Sequence, residues 1–217
     1  MNLNSLKLYA ITDSKCIQGN VTLEETVEQA ILGGITMLQY REKSLDYSRK
    51  KEEAISLHNI CKRYGIPFIV NDDVKLAKEI DADGVHVGAN DMSVKEARAI
   101  LRAGKIVGAT AKTLEQVDAA NSDGADYIGS GAVFGTITKA DAKPMSRKLL
   151  DEICMRSAIP VVAIGGICLG NIIELNDAKI SGVAVVSGIF GQNNIRVAAE
   201  KLYAARYGKK VIQCITN

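Results

Sequence analysis

Short apolar runs of strand length, rich in Val and Ile and bounded by Gly or Pro, recur near residues 6–11, 35–40, 67–71, 84–87, 105–109, 126–130, 160–164 and 183–187. They are continuous rather than alternating. That is the pattern of strands covered on both faces, as in a parallel sheet under helices. The segments between them read as helices. Thr22-Leu-Glu-Glu25, Ser93-Val-Lys-Glu96 and Thr113-Leu-Glu-Gln116 each match a capping box, in which a hydroxyl and an acid or amide satisfy the free amides of a helix start. Gly33-Gly34, Gly65, Gly124 and Gly182 are expected to end helices and lead into the next strand. Eight such units of about 25 residues predict an α/β fold, a single (β/α)8 TIM barrel over residues 1–217, with 209–217 a loose tail. A doubly wound open sheet is the alternative. It would carry a G-x-G-x-x-G turn after its first strand, and Leu8-Tyr-Ala-Ile-Thr-Asp13 has none.

Composition narrows the class. Of the 217 residues 47% are hydrophobic and 24% charged, enough apolar surface for a sizeable core in a water-soluble chain. A net charge of +2, with Lys and Arg scattered, predicts no nucleic-acid partner. No apolar run reaches the roughly 18 residues of a membrane span, and the N-terminus does not read as a signal peptide. Five cysteines, an odd number without C-x-x-C spacing, argue against a disulfide framework or a zinc site and fit a reducing, cytoplasmic setting. Cys168, just after Gly165-Gly166, is read as a small hydrophobe near a ligand turn rather than a reactive thiol. Association with like chains is compatible with all of this and is not read from it.

In a parallel α/β protein the residues after the strands converge on one face, and here those residues are polar. Gln39, Arg41 and Lys43 share one parity at a strand end and form a clamp for an anion. Asn71 and Asp72, with Asp91 after the next strand, offer oxygen ligands to a hard divalent cation such as Mg2+, while Asp72 or Asp73 caps the helix starting near Val74. The loop Gly129-Ser-Gly-Ala-Val-Phe-Gly-Thr-Ile-Thr-Lys139 combines glycines with Thr136, Thr138 and Lys139, suited to phosphate oxygens. Gly165-Gly166 and Ser187-Gly188 follow strands seven and eight, where barrels of this kind hold a phosphate monoester. His86, inside a strand, and His58, in a helix, are read as packing or surface residues. Two phosphorylated ligands across one barrel mouth point to a transferase, with a diphosphate leaving from the more cationic side.

These motifs resemble the thiamine-phosphate synthase family. The resemblance runs from Leu8-Tyr-Ala-Ile-Thr-Asp13 to about Gly191 and rests on Gln39-Tyr-Arg-Glu-Lys43, Val70-Asn-Asp-Asp73, Asp83-Gly-Val-His-Val-Gly88 with Asp91, Ala125-Asp-Tyr-Ile-Gly129, Phe134-Gly-Thr-Ile-Thr-Lys139 and Val162-Ala-Ile-Gly-Gly-Ile167. It implies that hydroxymethylpyrimidine diphosphate is joined to thiazole phosphate, or its carboxylated form, with loss of pyrophosphate and with Mg2+. It also implies roles: Gln39, Arg41, Lys43 and Asn71 on the pyrimidine diphosphate, Asp72 and Asp91 on magnesium, and Lys139 on the departing pyrophosphate. Thr136, Thr138, Gly166, Val186 and Ser187 would form the thiazole-phosphate pocket. Arg41, Lys139 and Thr110 would be the catalytic groups. Thr110 stands where the family usually has serine, Gly88-Ala-Asn-Asp91 keeps only the ends of the usual Gly-Gln-Glu-Asp, and the usual glycine beyond Lys139 is replaced around Met145-Ser146. The rival readings are a thiazole tautomerase of the same fold, which typically lacks the full Thr-x-Thr-Lys loop, and a non-catalytic phosphate-binding barrel.

Overall fold

The computed structural model describes residues 1–17, 19, 21–135 and 144–208. Eight parallel strands close into a barrel in chain order, the last pairing with the first. They are β1 (Leu8–Ile11), β2 (Met37–Tyr40), β3 (Phe68–Asn71), β4 (Gly84–Val87), β5 (Ile106–Thr110), β6 (Tyr127–Gly131), β7 (Val161–Ile164) and β8 (Gly182–Val185). All eight expected strands are present, and the open doubly wound sheet is excluded. Helices α1 (Leu23–Leu32), α2 (Tyr47–Tyr64), α3 (Val74–Glu79), α4 (Val94–Ile100), α5 (Leu114–Asp123) and α6 (Arg147–Arg156) follow β1 to β6 in turn. The seventh unit departs from expectation: β7 is followed by a single 3-10 turn, Ile172–Leu175. Its connection carries Gly170, Asn171 and Asn176, turn formers too closely spaced for a helix nucleus to propagate. After β8 come the short α7 (Ser187–Phe190) and then α8 (Ile195–Tyr207).

The local signals resolve individually. Both halves of the capping box form at Thr22/Glu25 and at Ser93/Glu96. At Thr113 only half forms: its hydroxyl accepts from the Gln116 amide, but the Gln116 side chain accepts instead from the Lys112 amide at 2.7 Å. Gly65 and Gly124 end α2 and α5 with left-handed φ of 67° and 83°. Gly182 ends no helix. It opens β8, where a Cβ would overlap the Leu6 carbonyl, so glycine is required there by close approach of two backbones.

Alternation along the strands divides the core in two. Leu8 and Ala10, Leu38 and Tyr40, Phe68 and Val70, Val85 and Val87, Val183 and Val185 point outward into the layer between sheet and helices. Tyr9 and Ile11, Met37, Ile69, Tyr127, Val162 and Ala184 fill the barrel interior. Both faces are apolar, which is why the sequence runs showed no alternation. The same inward parity continues into polar residues at the carboxyl ends of the strands.

Candidate active site

A cavity opens at that end of the barrel. Its lining includes Gln39, Arg41, Lys43, Asn71, Asp72, Asp91, Thr110, Gly166, Val186 and Ser187. Ten of the site residues expected from sequence are thus brought together. The other three, Thr136, Thr138 and Lys139, lie outside the described residues.

The β1 and β2 ends build the cationic wall. Thr12 is fully buried, and its hydroxyl accepts from the Arg41 amide at 2.8 Å, which fixes the turn leaving β2. The Arg41 guanidinium lies 3.5 Å from Asp13. Glu42, between the two cations in sequence, turns away and accepts from Ser14 and the Ser44 amide. Arg41 and Lys43 are therefore free of it and reach the cavity from one side.

The β3 and β4 ends build an acidic pair. Asp73 caps α3 through the Leu76 amide at 2.9 Å and pairs with Lys50. Its neighbour Asp72 is left for the cavity, so one aspartate caps and the other does not. Asp72 holds φ at 61°, a left-handed conformation costly for a residue with a side chain and typical of positions set by function. The Asn71 side-chain amide donates to the Asp72 carboxylate at 2.6 Å, and the Asp72 backbone amide donates to the His86 carbonyl at 2.8 Å. Asp91 accepts from the Gly88 amide at 3.0 Å, and a Cβ at Gly88 would collide with that carboxylate. Burial, and then the adjacent Asp91, raise the Asp72 acid above its ordinary range, with Lys43 at 3.8 Å offsetting only part. Two crowded carboxylates with one distant cation are a donor set that a hard divalent ion would relieve. Among the described residues there is no cluster of three or more His, Cys, Asp or Glu. The pair therefore fits an ion that completes its shell with substrate oxygens rather than a closed all-protein cage.

Opposite them, Gly165 and Gly166 take φ of 104° and 65°, and α7 starts at Ser187. The loop after β6 folds onto this turn through Val133 N to Ile164 O and Phe134 N to Gly165 O, both 3.0 Å. A Cβ at Gly166 would strike the Gly135 carbonyl. Val133 and Phe134 are half-buried there. Cys168 is exposed and outside the cavity lining.

The sequence reading missed four polar lining residues, Tyr9, His86, Lys112 and Tyr127. His86 is corrected: its Nδ1 lies 3.0 Å from the Tyr127 hydroxyl and its Nε2 3.0 Å from the Thr110 hydroxyl, so it is a polar member of the cavity wall. Inward parity was the signal that could have found these four: Lys112 lies two residues beyond Thr110, His86 two before Gly88, Tyr127 two before Gly129, and Tyr9 shares the inward face of β1 with Ile11. His58 does behave as packing, stacked on Phe68 with centroids 5.2 Å apart and 3% exposed.

Residues 8–189 match the family model described as thiamine monophosphate synthase. The thiamine-phosphate synthase of Persephonella marina is 45% identical over 202 residues, 93% of this chain and 96% of that protein. That of Ruminiclostridium cellulolyticum is 44% identical over 195 residues, 90% and 92% of the two chains. Among solved structures, the thiamine phosphate pyrophosphorylase of Pyrococcus furiosus superposes with a TM-score of 0.86 at 36% identity, covering 94% of this chain and 96% of that one.

Proposed function

The chain belongs to the thiamine monophosphate synthase family, and on that premise we propose that it joins hydroxymethylpyrimidine diphosphate to thiazole phosphate, forming thiamine phosphate and releasing pyrophosphate. The observation that carries this reading is the gathering of Gln39, Arg41, Lys43, Asn71, Asp72, Asp91 and Thr110 from consecutive strand ends into one cavity, facing the Gly166 and Ser187 turns. One side suits a diphosphate, the other a monophosphate.

In this reading Arg41 and Lys43 hold the diphosphate, and their attraction grows as charge is released onto it. Asp72 and Asp91 would hold Mg2+, which when bound supplies positive charge to the diphosphate oxygens. The backbone amides about Gly166 and Ser187 fix the thiazole phosphate, so that its ring nitrogen faces the pyrimidine methylene. The electron-rich pyrimidine stabilises a methylene cation, the carbon–oxygen bond to the diphosphate breaks first, and the thiazole nitrogen then forms the new carbon–nitrogen bond. No general base is needed. The apolar wall of Ile11, Val162, Ile164 and Ala184 keeps water from that cation.

The test is a coupling assay on the purified chain with both phosphorylated precursors. Thiamine phosphate and pyrophosphate are expected, and rearranged thiazole without coupling would establish the tautomerase reading instead. Excess chelator is expected to stop coupling; full activity in chelator would overturn the magnesium assignment. An electron-withdrawing substituent on the pyrimidine is expected to slow turnover steeply without matching loss of binding. An unaffected rate would mean that the thiazole displaces the diphosphate in one step.

A further inference from the structure

Across the barrel interior runs a chain of four hydrogen bonds that the coupling chemistry does not by itself require. Gln39 Nε2 donates to the Tyr9 hydroxyl at 2.7 Å. The Tyr9 and Tyr127 hydroxyls are 2.9 Å apart. The Tyr127 hydroxyl is 3.0 Å from His86 Nδ1, and His86 Nε2 is 3.0 Å from the Thr110 hydroxyl. Tyr9 and Tyr127 are 1% and 0% exposed, and burial, the leading cause for both, pushes their phenols well above the usual tyrosine range. Both stay protonated, and each therefore has one proton to give.

The bonding directions follow one from another. The amide nitrogen of Gln39 can only donate, so the Tyr9 oxygen accepts there, and its own proton goes to Tyr127, the other hydrogen-bond partner of that hydroxyl among the described residues. The Tyr127 oxygen then accepts from Tyr9 and gives its proton to His86 Nδ1, which must be the bare nitrogen. The His86 proton is left on Nε2, which donates to Thr110. Thr110, already accepting, keeps its own proton for a partner in the cavity that it lines.

The geometry points to a relay: Gln39, Tyr9, Tyr127 and His86 are positioning residues that lock the Thr110 hydroxyl as a hydrogen-bond donor to a diphosphate oxygen of the bound substrate. This rests on the coupling reading for the identity of the acceptor, but the polarity of the chain does not. Space is reserved for the relay in the backbone. A Cβ at Gly108 would overlap the Tyr127 phenol, and one at Gly129 would come within 3.1 Å of the His86 ring. The two rings pack against each other, tilted, with centroids 5.5 Å apart. A buried chain polarised in one sense also resists reversal, since every member must flip together.

The chain has two histidines, so the 15N spectrum of its imidazoles is simple, and a His58→Leu variant assigns the remaining signals to His86. The relay requires a protonated Nε2 and a bare Nδ1 in the intact protein. Tyr127→Phe is expected to abolish that preference, since Nδ1 loses its donor. A protonated Nδ1 in the unsubstituted protein would reverse the chain and overturn the proposal, whatever the assay shows. In turnover, Thr110→Ala is expected to lower kcat about a hundredfold with little change in KM. His86→Leu should lower it about tenfold or more through the freed hydroxyl, and His86→Gln should recover part of that loss. Adding His86→Leu to Thr110→Ala should cost nothing further. Losses that multiply in the double variant would show that His86 acts on its own account. If the unsubstituted protein has the expected tautomer but no coupling activity, the relay stands and the reaction assignment falls.

Discussion

The two ends of the barrel treat charge differently. At the end where the strands begin, three carboxylates have close partners. Asp126 takes Arg98, which also donates to the Gly124 and Lys105 carbonyls. Asp81 takes Lys105 at 2.8 Å, and Asp83 accepts from the Phe68 amide at 2.8 Å. At the mouth, Arg41 has Asp13 and Lys43 has Asp72 within 4 Å, yet like charges are also crowded together. Asp72 faces Asp91, Arg41 and Lys43 converge from one side, and Asp72 is held in a left-handed conformation. The first end is arranged for stability in the absence of any ligand. The second leaves electrostatic tension that a charged ligand would release, which is the usual division of labour in this architecture.

The sharpest way to break that comparison is Asp72→Asn. It is expected to cost about a hundredfold or more in coupling turnover while leaving the melting temperature of the metal-free chain equal or higher. The sign follows from the raised acid: its charged form is disfavoured in the fold, so removing the charge relieves the folded state at pH above that raised value. A fall in melting temperature would mean that Asp72 belongs with the stabilising charges.

At the opposite end, Arg98→Ala should do the reverse. Loss of its Asp126 pair and two carbonyl bonds is expected to cost about 2 kcal/mol of unfolding free energy with kcat and KM unchanged, read by denaturant titration alongside the assay. A changed kcat would show that the two ends are coupled.

Ser93→Ala lies between these extremes, in the loop just beyond Asp91. It removes the hydroxyl of a complete capping box, worth about 1 kcal/mol. Since Asp91 is held by Gly88 rather than by Ser93, the acidic pair should survive, and the chelator sensitivity of the variant should match that of the parent.

The smallest effect is expected from His58, far from the mouth. Burial, the leading cause, lowers it below its ordinary 6.5, despite Asp83 at 3.7 Å. The unfolded chain therefore takes up this proton first as pH falls below 6.5, and stability is lost until the folded value is passed. His58→Leu should flatten that slope in unfolding curves between pH ~5 and ~7, with turnover untouched.

The order of eight strands and the capping of α1, α3 and α4 were legible from the chain because their causes are local: apolar runs, hydroxyls before acids, glycines at left-handed turns. Parity at the strand ends was also local, and it was enough to gather Gln39, Arg41 and Lys43. Asn71, Asp72 and Asp91 were legible as neighbours once the strands were parallel and consecutive. Three readings failed for a reason that local pattern does not contain. Gly182 serves a backbone approach from Leu6, Gln116 chose the Lys112 amide over its own cap, and the seventh connection forms only a 3-10 turn.

The sequence by itself determined which residues stand at the ends of the strands, because alternation and helix signals act over a few neighbours. Only the closed barrel decided what those residues meet. Closure brings Tyr9 against Tyr127, residues 118 apart in the chain, and sets His86 between Tyr127 and Thr110. Such contacts depend on the stagger of all eight strands at once, and nothing in the neighbourhood of any one of these residues encodes it.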